Sequence, residues 1–186
     1  PAQNRLARVL DTSRRAIHCD CSALLVFKEG RFKPLAIDGL LSDVLGQSFC
    51  VAEHPRFEII ARAGDVVRFP ADSDLPDPYD GLILNHDGKF KVHSCIGLPL
   101  LVNDTLIGAL TIDSFDSAMF DDFADQDLRT LSALAAASLN SALMMAQLEK
   151  LAISGPAIEH NFSLPVEMVG KSAVIKAMKH KLEMVA

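Results

Sequence analysis

The sequence lacks tryptophan and has a single tyrosine, Tyr79, among its 186 residues. Proteins that hold single-stranded nucleic acid without sequence preference stack bases on aromatic side chains, and this chain offers almost no such platform. Positive charge is also scarce, because 18 basic residues face 24 acidic ones and the formal net charge is −6. This balance argues against non-specific electrostatic binding to nucleic acid. We expect any DNA contact to be made by other parts of the protein.

Several familiar signatures are missing as well. The four cysteines show neither CxxC spacing nor the density of a secreted disulfide scaffold, and no secretory signal precedes them, so we expect a reducing cytoplasm. No phosphate-binding Gly-rich loop, HExxH or GxSxG motif occurs. The most apolar stretch, 131–148, is rich in alanine and interrupted by polar residues. This favours a core or dimer helix over a membrane span.

What remains is a globular composition, with 49% hydrophobic and 23% charged residues. The length corresponds to one domain and an appendage. Because the chain starts at Pro1 without Met and stops inside a helical pattern at Ala186, we expect it to be a piece of a longer protein.

Periodicity predicts three helices and two strand hairpins, which indicates an α+β fold, an antiparallel sheet flanked by helices. The predicted helices are 4–17, a short one that begins at Pro55 and ends before Gly64, and 124–151; the hairpins pair 22–28 with 32–40 and 91–102 with 105–113, and 66–69 is extended. Prolines and glycines make 71–88 a long loop, and such loops are commonly functional. We expect residues 1–151 to form the main domain, 152–165 a linker, and 166–186 the start of a further domain.

The second hairpin has two different faces. The even positions are apolar and include Ile96, Leu98, Leu106 and Leu110, which we expect on one face. The odd positions include His93, Cys95 and Asp113. Matching the apolar faces places Cys95 opposite Asp113, with His93 two residues along the same face. A two-residue turn shifts the register by one and sends Asp113 to the other face, so this pairing requires a longer turn or a β-bulge.

A thiolate, a carboxylate and an imidazole would then converge, and Asp77 and Asp80 in the long loop offer further carboxylates. Mixed oxygen, nitrogen and sulfur ligands suit iron or zinc, and two carboxylates with one sulfur argue against a closed structural zinc site.

Each of these residues also has a purely structural interpretation. A strand cysteine such as Cys95 is commonly a small buried hydrophobe, and aspartates beside proline and glycine are ordinary turn residues. Asp113 can cap the next turn, and His93 can be a surface histidine. Arg56 and Arg62 on the short helix are either solvated cations or contacts for an anion or a regulatory partner. Cys19 and Cys21 are interpreted as packing residues.

A family resemblance adds to this interpretation. The run 95–100 through 106–110, followed by Phe120 and Asp127-Leu128 before an Ala-rich helix, resembles the closing half of a GAF domain. With the segments 54–57, 61–67, 75–82 and 92–95, nearly the whole chain resembles the sensory region of nitric-oxide-responsive, sigma-54-dependent transcriptional activators. The segment 168–186 is similar to the opening of the AAA+ domain of such activators.

The resemblance implies a mononuclear non-haem Fe(II) centre at which nitric oxide binding relieves repression of the adjacent ATPase. Carried over residue by residue, the ligands fall on Asp80, Cys95 and Asp113, with His93 and Arg62 as further candidates and Asp77 close by. Arg62 matches an arginine thought to link the sensor to the ATPase, and Arg56 matches another family arginine.

These implications define a regulatory domain that is not itself an enzyme. Its expected partners are its own AAA+ domain in cis and a second copy bound through the 124–151 helix. The apolar stripe expected on that helix suits packing on the sheet as well as close packing in a homodimer, and consists of Leu131, Leu134, Ala135, Leu139 and Ala142. Sigma-54 RNA polymerase and DNA are expected to be reached only through missing domains, and no membrane is involved.

Two alternatives stay open. A GAF-type thiol reductase would use Cys95 as nucleophile and needs a resolving cysteine within reach. A GAF module that binds an organic ligand such as a cyclic nucleotide, or that only dimerises, predicts that Asp113 turns away from Cys95.

Overall fold

The structure is a computed structural model that describes residues 6–8, 10–11, 15, 17–84 and 94–154. His93, most of the predicted linker and the predicted start of the AAA+ domain lie outside the described residues. Two compact units divide between Leu151 and Ala152, and the site described below belongs to the first.

Six antiparallel strands form one sheet in the order β3-β2-β1-β6-β5-β4. The strands are β1 (Cys21–Lys28), β2 (Arg31–Asp38), β3 (Phe49–Cys50), β4 (Val67–Phe69), β5 (Ser94–Val102) and β6 (Thr105–Ser114). The helices whose residues are described without gaps are α1 (Pro55–Ala63) and α2 (Asp125–Ser154), with 3₁₀ turns at Ser42–Gly46 and Val51–Glu53. The predicted α+β fold with an antiparallel sheet is confirmed.

Most elements lie where the periodicity places them. Both predicted hairpins form, and the described residues between 6 and 17 are helical, inside the predicted first helix. Helix α2 runs to Ser154, three residues past its predicted end. Strand β3 is not predicted, because two residues are too few to show an alternating pattern.

Helix α1 is short and has clear boundaries. Pro55 occupies its first turn, where the fixed backbone angle of proline suits a helix start. Gly64 ends it with a left-handed φ of 66°. The helix buries Arg56, Phe57 and Ile60 on one side, so a charged side chain enters the protein interior together with two hydrophobic ones.

A β-bulge in the β5–β6 hairpin sets the register that pairs Cys95 with Asp113. Asn103 and Asp104, with φ of 48° and 60°, form a two-residue turn of the kind that follows the strand twist. That turn alone would put Asp113 on the wrong face, but the register shifts between Leu100 and Leu101. Beyond the shift Cys95 pairs with Asp113, as the matching of apolar faces predicts.

The bulge also corrects one detail of the prediction. Leu106 was expected on the same apolar face as Leu110, yet it packs in the other core cluster, while Ile107 takes the helix-facing side. The extra residue of a bulge reverses the alternation on its far side. The even positions beyond it, such as Leu110 and Ile112, face α2 as expected.

Helix α2 covers one face of the sheet. Its residues Leu128, Ala135 and Leu139 are buried in the same core cluster as the even positions of β5 and β6. In the described part of the chain it is the one helix long and apolar enough to cross a membrane by length and composition. Only 22% of its most apolar 18-residue window is buried, so packing against the sheet accounts for only part of this apolar character.

Candidate metal centre

The centre of the site is Asp113, which lies between two cysteines. In the registers of β6 with its neighbours, Asp113 pairs with Cys21 on β1 and with Cys95 on β5. Directly paired residues have Cβ atoms about 4.5–5.5 Å apart. Three central strands thus bring two sulfur atoms to one carboxyl group, on the sheet face opposite α2.

A second carboxylate reaches this face from the long loop. The guanidinium of Arg56 donates to Asp77 Oδ2 at 2.7 Å through Nη1 and to the Leu75 carbonyl at 3.0 Å through Nε. The backbone N–H of Tyr79 donates to Asp77 Oδ1 at 2.8 Å, and the Tyr79 hydroxyl lies 3.0 Å from Thr111 Oγ1 on β6. These bonds fix both the loop and the Asp77 carboxylate against the sheet.

Asp77, Cys95 and Asp113 together form a potential chelating group. One ligand atom from each lies within 4.8 Å of the others, and all three residues are buried. Among the described residues, Oδ1 of Asp113 has no hydrogen-bond partner, whereas Oδ2 accepts from the Cys21 thiol at a sulfur–oxygen distance of 3.9 Å. An unpartnered buried acceptor costs about 1–3 kcal/mol, and a cation at this position would remove that cost.

The electrostatics of the group favour protons when no cation is bound. Burial, reinforced by the neighbouring Asp77, raises the pKa of Asp113 well above its usual value of 3.8. Burial and then the Asp113 carboxylate raise the pKa of the Cys95 thiol in the same direction. Burial also raises the pKa of Asp77, against the opposing effects of the Tyr79 N–H and of Arg56. A divalent cation would stabilise the deprotonated forms that burial disfavours.

This donor set limits the chemistry. Two carboxylates and one thiolate suit a divalent transition metal and leave coordination positions unfilled, unlike a closed four-ligand zinc site. In these surroundings Cys95 is a poor nucleophile. A reactive cysteine needs a lowered pKa and some solvent exposure, but Cys95 is 4% exposed and its pKa is raised.

The remaining predicted residues lie in different surroundings. Asp80 is exposed and outside the buried group, although it is only three residues from Asp77. Arg62 lies on the outer side of α1, where it pairs with Glu58 at 2.8 Å. Arg56 is inside the protein, with a side chain 6% exposed against Asp77. The structure thus brings Arg56, Asp77, Cys95 and Asp113 together.

Sequence reasoning missed two contributors. Cys21 was interpreted as packing, since nothing local shows that β1 pairs with β6, 92 residues further along the chain. Tyr79 received no role, although it is the single tyrosine and stands beside the aspartates of the loop. Its complete burial and its bond to Thr111 depend on tertiary contacts that no short motif encodes.

Comparisons with known proteins agree with this architecture. Residues 1–142 match the family profile described as the GAF domain. The chain is 52% identical over its whole length to the anaerobic nitric oxide reductase transcription regulator NorR of Aliivibrio fischeri, covering 37% of that protein. It is 51% identical to the NorR of Vibrio vulnificus strain YJ016 over 99% of the chain and 36% of that protein. The chain therefore spans little more than a third of these relatives.

A solved structure shows the same fold. The GAF domain of an Acinetobacter phosphoenolpyruvate-protein phosphotransferase superimposes with a TM-score of 0.62 at 17% identity, over 79% of this chain and 87% of that one. At this identity the likeness concerns the fold alone.

Proposed function

The chain belongs to the GAF domain family, and from this premise we propose that it is the nitric-oxide-sensing regulatory domain of a transcriptional activator. The high identity to NorR regulators along the whole chain supports a role in transcription regulation. In this proposal the domain works in the cytoplasm and represses an AAA+ ATPase in the same polypeptide until nitric oxide binds. DNA and sigma-54 RNA polymerase are contacted by other domains.

One observation carries the proposal: a buried group of two carboxylates and a thiol, with one carboxylate oxygen lacking a partner among the described residues. Acidic groups withdrawn from water are costly unless something cationic compensates them. Arg56 compensates Asp77 directly, but no comparable ion pair reaches Asp113 within the described ranges. The group thus fits a metal cation.

We propose that Asp77, Cys95 and Asp113 hold ferrous iron in this group. When bound, the iron supplies a labile position for a diatomic gas. Cys95 and Asp113 contribute from adjacent strands, and Asp77 contributes from the loop. His93 and Asp80 stay predicted ligands; Asp80 would have to turn inward from its exposed position to join them.

The balance of charges in the buried group supports this assignment. Two carboxylates and one thiolate carry three negative charges, and a divalent cation with the Arg56 guanidinium carries three positive ones. Arg56 holds Asp77 in place and balances the site, so the bound state is neutral inside a low-dielectric interior. The protons now favoured on Asp113 and Cys95 would leave as the cation enters.

A signal at this site has a short route to the surface. Arg56 and Arg62 lie on the same nine-residue helix, one contacting Asp77 inside and the other exposed outside. A ligand can bias a regulatory equilibrium only if it binds the two states with different affinities. We propose that any rearrangement around Asp77 moves α1 and thereby changes the contact that Arg62 offers to the ATPase.

The test is anaerobic loading of the chain with Fe(II), followed by addition of nitric oxide and electron paramagnetic resonance. We expect one iron per chain and a signal that appears on nitric oxide addition. Cys95→Ala, Asp113→Asn and Asp77→Asn should each weaken iron binding by at least about tenfold. Circular dichroism of each variant confirms that the fold is intact.

The matched control is Asp80→Asn, which removes the same charge three residues away. Retention of iron by this variant assigns the second carboxylate to Asp77, whereas an equal loss adds Asp80 to the ligands. If the folded parent chain takes up no iron, or if Cys95→Ala and Asp113→Asn bind it as tightly as the parent, the proposal is wrong.

A further inference from the structure

A small cavity at the edge of the sheet leads from the protein surface to one member of the buried group. It lies where β4 pairs with β5 and has a volume of about 180 Å³. Ala71, Ser117 and Asp121 are exposed at its mouth, and Phe69 and Cys95 are buried in its floor. Three larger cavities, beside α2, outside α1 and near the described N-terminal residues, are not lined by any residue of the buried group. Within the described part of the chain, this cavity therefore gives Cys95 a route to solvent.

Hydrogen bonds hold the walls of this cavity, which we call the edge cavity, in place. On β4, Arg68 donates through Nη1 to the Phe120 carbonyl at 2.8 Å and through Nε to Asp125 Oδ1 at 3.0 Å. On β5, the Ser94 hydroxyl donates to the Asp116 carbonyl at 2.8 Å. The loop between β6 and α2 is thus tied to both strands, so the edge cavity is a fixed feature of the packing.

The size and lining of the edge cavity suit a small uncharged molecule. Pockets for organic ligands commonly have volumes of about 300–1,000 Å³, whereas a water molecule occupies about 30 Å³ of liquid. The inner part is lined by Phe69, Ile96 and Phe120, each at most 5% exposed, and the hydroxyl of Ser94 already donates to Asp116. An ion that enters here would lose its hydration without gaining a partner, a cost that a neutral diatomic gas does not carry.

The proposed metal ligands are otherwise shielded from solvent. Asp77, Cys95 and Asp113 are 8%, 4% and 1% exposed. Protein interiors are close-packed, with few voids larger than a water molecule, so a gas reaches such a group through an existing cavity or through local opening of the structure. We propose that the edge cavity is the entry route by which nitric oxide reaches iron held by the buried group. This inference rests on the proposed function.

The test narrows the mouth of the edge cavity and measures the rate of nitric oxide binding. Ala71→Trp and Ser117→Trp each place a bulky side chain at an exposed rim position, which the fold should tolerate. In the iron-loaded chain, anaerobic stopped-flow absorbance should show nitric oxide association slowed by about tenfold. The iron affinity and the electron paramagnetic resonance signal at saturating nitric oxide should match those of the parent chain.

The matched control is Ala118→Trp. Ala118 is exposed on the same loop as Ser117 but does not line the edge cavity, so this variant should bind nitric oxide at the parent rate. Equal slowing in Ala118→Trp would show that any tryptophan on this loop disturbs the site, and would overturn the inference.

The metal-free chain supplies a second readout. The parent has no tryptophan, so the fluorescence of each variant reports the surroundings of the introduced indole alone. We expect the indoles of Ala71→Trp and Ser117→Trp to be shielded from acrylamide quenching, and that of Ala118→Trp to be accessible. Equal quenching in all three variants would show that the mouth of the cavity does not hold an indole, which contradicts the inference.

Failure of the entry route can be distinguished from failure of the proposed function. Iron-loaded rim variants that have shielded indoles but bind nitric oxide at the parent rate overturn the route alone. Weakened iron binding in these variants would show that they distort the site, and also counts against the route. A folded parent chain that takes up no iron contradicts the proposed function, and the route is then wrong as well.

Discussion

The two faces of the β5–β6 hairpin are made by alternate residues of the same strands, yet they have opposite characters. On the helix-covered face, Ile96, Leu98 and Leu110 are at most 1% exposed and belong to an aliphatic cluster. On the other face, Cys95, Thr111 and Asp113 are equally withdrawn from water. Burial is therefore matched, and the difference lies in chemistry alone.

This contrast shows how a small sheet separates stability from chemistry. Because successive side chains point to opposite faces, adjacent residues Ile112 and Asp113 have unrelated roles. The aliphatic face stabilises the domain through apolar burial of about 25 cal/mol per Å², a contribution that pH does not alter. On the polar face, buried carboxyl groups are stabilised only by specific hydrogen-bond or ionic partners. The contribution of this face to the free energy of unfolding therefore depends on protonation and on bound cations.

Among substitutions that affect the polar face, removal of Arg56 should cause the largest loss of stability. The Arg56→Met variant keeps much of the side-chain volume but leaves the Asp77 carboxylate buried without its ion pair. We expect a loss of about 3–5 kcal/mol in the free energy of unfolding, measured by urea denaturation of the metal-free chain.

Replacing both partners tests whether the unpaired charge is the cause. Arg56→Met combined with Asp77→Leu removes the buried charge altogether and should recover most of the loss. A double variant as unstable as Arg56→Met would instead show that the packing of the Arg56 guanidinium over the Phe69 ring, 5.1 Å away, is the dominant contribution.

Substitution of Asp113 should change the free energy of unfolding by a smaller amount and in the opposite direction, towards higher stability. Its pKa in the folded chain is raised above 3.8, so the folded state holds a proton that the unfolded state loses first. Stability should therefore fall as pH rises from about 4 through the raised folded pKa. Asp113→Asn removes this penalty and should stabilise the metal-free chain by about 1–3 kcal/mol at pH 8 and little at pH 4.

The aliphatic face provides the control for this pH series. Leu110→Ala should lower the free energy of unfolding by about 2–5 kcal/mol relative to the parent chain. This loss should be the same at pH 4 and at pH 8. Thermal or urea unfolding at both pH values gives the comparison. If Asp113→Asn shows no more pH dependence than Leu110→Ala, Asp113 is not the titrating group.

Much of this contrast could be predicted from the sequence. Alternation alone separates the two faces, and matching the apolar sets pairs Cys95 with Asp113. The bulge was required by that match but could not be placed, because either strand could accommodate an extra residue. The placement of Leu106 failed for this reason.

The loop side of the site was beyond sequence reasoning. Whether Asp77 or Asp80 turns inward depends on the Arg56 contact and on the Tyr79 N–H, and both need tertiary structure. The alignment of Cys21 with Asp113 follows from strand order, which local periodicity does not encode. The stripe predicted on α2 packs on the sheet at Ala135, Leu139 and Ala142, as expected. A long Ala-rich helix is apolar on more than one side, so the sequence could not show that Leu134 of the same stripe is exposed.

The smallest effect should come from the hydrogen bond that ties the loop to the polar face. Tyr79→Phe keeps the buried ring in contact with its aromatic neighbours but removes the hydroxyl that lies 3.0 Å from Thr111 Oγ1. We expect a loss of about 0.5–1.5 kcal/mol, and Tyr79→Phe with Thr111→Val should be less destabilised than the sum of the two single variants. Because Asp77 is held independently by Arg56, iron affinity should change less in Tyr79→Phe than in Asp77→Asn. Equal losses of affinity would show that the Tyr79 anchor, rather than the Arg56 ion pair, positions the carboxylate.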